Sequence, residues 1–311
     1  MNPAFRELKI PASLSGKRLD FILAELCPDH SKAALQKLVR RGGVDLDGKR
    51  VLRSNIRPGR CARLALSFEG REQATESFGL IVLHEDDSII VVDKPAGLLS
   101  HGFPGSSEQD VAMLATERFG RLPMLMGEER PGVVHRLDRE TSGVMVLART
   151  AEAMEYLREQ FRARQVRKEY FALVRGVPVD ERMVLDADLG PCEGHSDRQQ
   201  QFPPGRGKNA HTSVELMESF GDCSLLSCVP RTGRRHQIRV HLHAAGHAVL
   251  GDKMYGAKSA PGLSPGMPHS RFHCLHAGRL SFDHPEGQAP VHFESPMRPE
   301  MAQVVDWLRR R

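Results

Sequence analysis

At 311 residues the chain is longer than one ordinary compact domain, and 40% hydrophobic residues plus 28 glycines suffice for a real core. Charged residues at 27%, and apolar runs no longer than IIVV at 89–92, exclude both a disordered polyelectrolyte and a chain embedded in a membrane through helices. The net charge of +5 is unevenly placed. Residues 1–79 hold fifteen Lys/Arg against nine Asp/Glu, and residues 32–63 hold ten against two. Such a stretch suits a polyanion, although a solvated basic helix face would read the same way.

In chain order, the start Met1-Asn2-Pro3 lacks a basic-then-apolar signal pattern. Leu19, Ile22, Leu23 and Leu26 then fall at helical spacing, and Pro28 interrupts them. Ser31 is placed to cap a second helix carrying Ala34, Leu35, Leu38 and Val39, which Gly42-Gly43 stops. Residues 44–49 read as a strand entering a turn, 56–60 as a second turn, and 62–68 as an alternating strand. This outlines a small α/β unit over residues 1–70 and a linker over 71–79, marked by the polar stretch EGREQATES at 69–77. From residue 80 onward strands dominate: 80–83, 89–92, 171–174, 214–217, 225–229 and 237–242. Helices are expected over 109–119 and 151–163, and loops over the Gly/Pro/Ser-rich stretches 191–209 and 257–270. The fold class is α+β, with a mixed, largely antiparallel sheet over 80–311. The six cysteines form no C-x-x-C pair, which points to reduced thiols and a cytoplasmic protein.

The first unit resembles the S-four-type RNA-binding domain, through S-G-K-R-L-D and S-K-A-A-L-Q-K-L-V-R-R-G-G-V-D-L-D-G-K-R-V. The resemblance implies that the second helix and the turn after it face folded RNA. Lys32, Lys37, Arg40, Arg41, Lys49 and Arg50 are then the contact candidates.

The densest polar cluster, H-R-L-D-R-E-T-S-G at 135–143, lies between the apolar runs 133–134 and 144–147, with strands expected on both sides. Charges held at the edge of a buried sheet must be paired or functional, although an ordinary charged turn has the same composition. A second cluster, R-T-G-R-R-H-Q-I-R at 231–239, offers partners. If its end is a strand, Gln237, Arg239 and His241 share one face, Arg239 projects beside Asp138, and Ile238 packs on the other side. A guanidinium there would keep the carboxylate ionised and oriented, as a nucleophile requires.

Six blocks in order make residues 80–285 similar to the RluA-type pseudouridine synthases. They are E-D-D-S-I-I-V-V-D-K-P-A-G-L, H-R-L-D-R-E-T-S-G-V-M-V-L-A, R-K-E-Y-F-A-L-V-R-G, R-T-G-R-R-H-Q-I-R-V-H-L, G-H-A-V-L-G-D-K-M-Y-G and L-H-A-G-R-L-S-F-D-H-P. The resemblance implies isomerisation of uridines in structured RNA, ribosomal RNA before transfer RNA. It makes Asp138 the catalytic aspartate, Tyr170 the tyrosine against the target base, Arg239 the partner of the aspartate and Ile238 its apolar neighbour. Arg136 would fill the space left by the flipped uridine. Arg235 departs from the family, which often has a small hydroxyl residue there. Moving a bond from a ring nitrogen to a ring carbon needs no cofactor or metal, and a monomer is expected. A noncatalytic RNA-binding or ribosome-assembly factor is the competing reading.

Other chemistries are weaker. Histidines 236, 241, 243 and 247 suggest a metal site only weakly, with His241 and His243 on one strand face. Cys223 and Cys228 flank an apolar strand as buried thiols. The H-R-x-D string also occurs in kinase catalytic loops, but no Gly-rich loop or D-F-G accompanies it. The Lys94-Pro95-Ala96-Gly97 stretch reads as a strand-ending turn.

Overall fold

The computed structural model describes residues 5–40, 42–51, 54–59, 62–67, 78–102, 108–124, 130–256 and 266–311. The chain divides into two compact units, Met1–Ser77 and Phe78–Arg311. The linker residues 71–77 lie outside the described residues.

In the first unit, strand β1 (Phe5–Lys9) precedes helices α1 (Leu19–Leu26) and α2 (Lys32–Arg40). Strands β2 (Val44–Leu46), β3 (Lys49–Arg50) and β4 (Arg63–Ser67) follow. The sheet order is β1-β4-β2-β3. The Ser31 hydroxyl accepts the Ala34 amide at 3.2 Å, the N-cap that its position suggests. At the other end Gly42 takes a left-handed φ of 71° and the Gly43 amide donates to the Leu38 carbonyl, so α2 stops at the glycine pair. Leu19, Ile22, Leu23, Leu35, Leu38 and Val39 form the core with Val44, Leu64 and Leu66. Strand β1 has no counterpart in the sequence reading.

The second unit contains β5 (Ile81–Glu85), β6 (Ile89–Lys94), α3 (Val111–Phe119), β7 (Ser142–Ala148), α4 (Ala151–Arg162), β8 (Arg167–Arg175), β9 (Arg182–Cys192), β10 (His195–Phe202), β11 (Lys208–Ser219), β12 (Cys223–Pro230), α5 (Gln237–Ala244), β13 (Leu275–Asp283), β14 (Pro290–Glu294) and α6 (Pro299–Arg309). One sheet runs β10-β9-β11-β12-β8-β13-β7-β6-β5, with β14 paired to β13. Its pairings are antiparallel except β13 with β7. The α+β, largely antiparallel class is therefore the observed one. Strands β6 and β7 are buried on both faces, which explains their uninterrupted apolar runs. Each such Ile or Val side chain contributes about 1.5–3 kcal/mol by leaving water.

Where β7 meets β13, Gly143 has a φ of 116°, and a Cβ there would overlap the Ala277 carbonyl. Glycine is what allows the parallel pair to close directly after the Asp138 loop.

Three sequence expectations need correction. Residues 237–242 are helical, not a strand. Ile238 and Leu242 join one core cluster while Val240 joins another, so the alternation I-x-V-x-L is the two sides of a short helix. Residues 191–209 are largely a hairpin: β9 and β10 pair across them and β11 begins at Lys208. The β10 sequence HSDRQQQF has no apolar alternation, so period gives no strand signal. Residues 133–134 form no strand, only an isolated bridge from Val133 to Leu147. Of the expected loop 257–270, residues 257–265 lie outside the described residues and 266–270 carry no regular structure. Strands β13 and β14 and helix α6 had not been expected from sequence.

Candidate active site

The loop between Val133 and β7 is pinned from several directions. The Ser100 hydroxyl accepts the Leu137 amide and donates to the Leu137 carbonyl, both at 2.9 Å. The Arg139 carbonyl accepts from the Gly97 amide (2.8 Å) and from Lys94 Nζ (3.0 Å). Lys94 is fully buried and also donates to the carbonyls of Pro95 (3.0 Å) and Leu98 (2.8 Å). Burial pushes its pKa down to about 7, opposed by the charge of Asp138. Three carbonyl acceptors nonetheless match the three protons of the ammonium form. After Asp138, the Thr141 amide returns to the Asp138 carbonyl at 3.1 Å and the Thr141 hydroxyl meets His273 Nε2 at 2.9 Å. Asp138 is thereby fixed on a short loop before a buried strand.

Helix α5 brings the cation. The Gln237 side-chain oxygen accepts from Thr232 Oγ1 (2.7 Å) and the Arg234 amide (3.0 Å), while its amide group donates to the His211 carbonyl and Thr212 Oγ1. His241, one turn on, also meets Thr212 Oγ1 at 2.9 Å. Arg239 leaves the helix on the other side. Its Nη1 donates to Asp138 Oδ2 at 3.0 Å, and its Nε and Nη2 form a fork on Asp252 at 2.7 and 3.0 Å. Asp252 Oδ1 additionally accepts the amides of Met254 and Tyr255. One guanidinium thus bridges two carboxylates, with the deeper one holding its plane.

His236 begins α5 in a left-handed conformation, φ 57°. Its Nδ1 lies 2.8 Å from the Tyr255 hydroxyl, and that oxygen also accepts the Gln199 amide at 2.8 Å. Burial holds His236 down at about 4, so the ring is neutral at pH 7. Its Nε2 faces Asp138 Oδ2 at 3.9 Å.

These groups open into a pocket of about 660 Å³ lined by Asp138, Tyr170, Arg239, Ile238, His236 and Leu137 among others. Tyr170 lies on central strand β8, opposite Cys228 of β12 and Ala277 of β13. Burial would raise the Asp138 carboxyl, but the charges of His236 and Arg239 more than offset this and hold it below its ordinary value. Because His236 is neutral above about pH 4, Arg239 supplies the lasting charge. Burial also disfavours charge on Asp252, yet Arg239 keeps it ionised down to about 2. Burial, then the charge of Asp138, raise the pKa of Tyr170 and keep its phenol protonated. The pocket therefore offers an ionised, oriented carboxylate beside an aromatic wall.

The profile of a family described as RNA pseudouridylate synthase matches residues 88–244. A ribosomal large subunit pseudouridine synthase D of Xanthomonas campestris is 35% identical over 99% of this chain and 94% of its own length. The chain belongs to the RNA pseudouridylate synthase family. An uncharacterised RNA pseudouridine synthase of Bacillus subtilis is 33% identical, covering 98% of this chain and 99% of its own. A solved structure, human RNA pseudouridylate synthase domain containing 4, aligns with TM-score 0.58 at 28% identity, over 74% of this chain and 93% of that one. The protein is an enzyme, an RNA pseudouridine synthase, rather than a noncatalytic binding factor.

In this synthase Asp138 and Arg239 are in direct contact, and Tyr170, Ile238 and the exposed Arg136 line the same pocket. Arg235, the family departure, also lies on its wall. Lys32 and Lys49 belong to the first unit and are exposed. Arg41, and the side chains of Lys37, Arg40 and Arg50, lie outside the described residues. Because 237–242 is helical, Gln237 and His241 do not share Arg239's side. His241 is buried and His243 exposed, which removes the common face of the weakly suggested metal site. Sequence reasoning passed over Asp252 and Tyr255, although G-D-K-M-Y contains them, and took His236 of R-R-H-Q only as a weak metal ligand. It also passed over Lys94 as the strap that holds the Asp138 loop.

Proposed function

We propose that this synthase acts on ribosomal RNA, the substrate class in the name of its Xanthomonas relative, with Asp138 as the group that engages the target nucleotide. The uridine leaves its stack and enters the pocket, and Arg136 takes its place in the RNA. The N1–C1′ bond breaks, the base turns, a C5–C1′ bond forms, C5 gives up its proton and N1 gains one. Asp138 attacks or stabilises the electrophilic centre, Arg239 keeps it ionised, and Ile238 walls the detached base. Tyr170 lies against the base. Its phenol is protonated in the free enzyme, so it serves as a proton relay and not as a standing base. The carrying observation is the contact of Arg239 with Asp138 on the pocket wall, 3.0 Å long.

The first unit serves as an S-four-type RNA anchor through Lys32, Lys37, Arg40, Arg41, Lys49 and Arg50. The free thiols of Cys27, Cys192, Cys223, Cys228 and Cys274 suit the reducing cytoplasm.

Purified enzyme is incubated with ribosomal RNA and, separately, transfer RNA, and pseudouridine is mapped. New sites are expected in ribosomal RNA; sites only in transfer RNA would overturn the substrate assignment. Asp138→Asn keeps the shape and should abolish turnover with similar RNA affinity, whereas near-native turnover would remove Asp138 from its role. Deleting residues 1–77 should flatten the salt dependence of RNA binding, and an equal slope would reduce the basic stretch to a solvated face.

A further inference from the structure

Lys168 is a member of the K-E-Y block that the chemistry above does not use. It lies on β8 two residues before Tyr170, so both side chains project from the same face into the pocket, about 6.6 Å apart along the strand. It is half-buried, and its ammonium has no hydrogen bond or ion pair among the described residues. Glu169, beside it in sequence, points away to Ser227 and Arg279. Its Nζ stands 4.0 Å from where a Cβ at Gly233 would be, against the loop carrying Arg231, Arg234 and Arg235. Its charge also disfavours protonation of the half-buried His135 ring. Among the described lining residues the sole carboxylate is Asp138, already held by Arg239.

Withdrawing an ammonium from water without a counter-ion is costly, and burial accordingly lowers the pKa of Lys168. An anion arriving with the substrate offsets that cost. Uracil brings none, whereas every nucleotide brings one phosphodiester charge. The position fits as well. Lys168 sits nearer the start of β8 than Tyr170, next to the exposed Arg167, and shares the pocket wall with the exposed Arg164.

We propose that Lys168 is a phosphate-binding residue that grips one phosphodiester next to the flipped uridine and so sets how deeply the base enters. This rests on the reading that the uridine occupies the Asp138 pocket.

The test uses full-length enzyme and a synthetic RNA spanning the mapped uridine, with single phosphates near the target replaced in turn by neutral methylphosphonates. Lys168→Met should weaken binding by about 10- to 100-fold, as loss of one charge-assisted hydrogen bond does. It should reduce the slope of log affinity against log salt by about 0.7–0.9. Lys168→Arg should restore most of both. One methylphosphonate should weaken wild type but add nothing to Lys168→Met, the signature of a shared contact. Free Lys168→Met should melt at a higher temperature than wild type, because an uncompensated cation has gone. A loss of affinity in which every methylphosphonate adds fully to Lys168→Met would overturn the proposal, as would unchanged affinity. Asp138→Asn serves as the control. If it is inactive, such a result rejects Lys168 alone; if it is active, the pocket itself has been misassigned.

Discussion

Asp252 never needs to touch substrate, yet the geometry makes it the keystone of the site. Asp252→Asn keeps the side-chain shape, removes the charge and turns an amide donor toward the Arg239 fork. The wild-type carboxyl ionises at about 2 instead of 3.8, against the opposing effect of burial, chiefly because Arg239 holds it. That difference corresponds to about 2–3 kcal/mol of folding stability at pH 7, or about 5–10 °C in melting temperature for a unit of this size. A depressed carboxyl stabilises fully above its unfolded pKa and loses that effect as pH falls through the folded one. The gap between wild type and Asp252→Asn should therefore be constant from pH 8 to pH 5. It should shrink to about half by pH 3 and nearly close at pH 2. Urea unfolding followed by the single tryptophan, Trp307 of α6, reports on this unit. Turnover of Asp252→Asn should fall about 10- to 100-fold as Arg239 loses its orientation. A gap under about 1 kcal/mol at pH 7, or one unchanged at pH 3, would refute the reasoning.

Arg239→Met leaves two carboxylates facing each other without a cation and should cost about 3–5 kcal/mol of stability. Its acid limb of activity should also move to higher pH, since Asp138 is no longer held below its ordinary value; an unmoved limb would break the link between the pair and catalysis. Tyr170→Phe retains the ring and should slow the single-turnover step, with RNA affinity measured alongside to separate the two effects. An unchanged rate would leave the tyrosine as a stacking surface only. Gly143→Ala forces a side chain onto the Ala277 carbonyl at a positive φ and should cost at least about 3 kcal/mol in denaturation experiments, and a near-neutral effect would contradict the close approach of β7 and β13.

Sequence alone determined the strands with a simple period or a continuous apolar run: β6, β7, β8 and β12 lie where their patterns put them. It also determined α1 to α4, whose caps and stops are local chemistry, such as Ser31 and Gly42 on α2. The motif blocks carried Asp138, Tyr170 and Arg239 because type and spacing survive within a contiguous stretch. What remained hidden depends on contacts between segments far apart in the chain. The run 237–242 reads as a strand from its I-x-V-x-L alternation, and only packing of Ile238 and Leu242 into one cluster and Val240 into another makes it a helix. The polar β10 becomes a strand because β9 supplies its hydrogen bonds, not because its side chains alternate. Asp252 looks like a turn residue until folding places it under the Arg239 fork, 13 positions away in the chain. Lys94 looks like the end of a strand until three carbonyls, one of them 45 residues distant, close around its ammonium. Periodicity and capping are properties of neighbours along the chain and are written there. The pairing of buried charges is settled only when the tertiary structure withdraws water and leaves each ion the partners that happen to surround it.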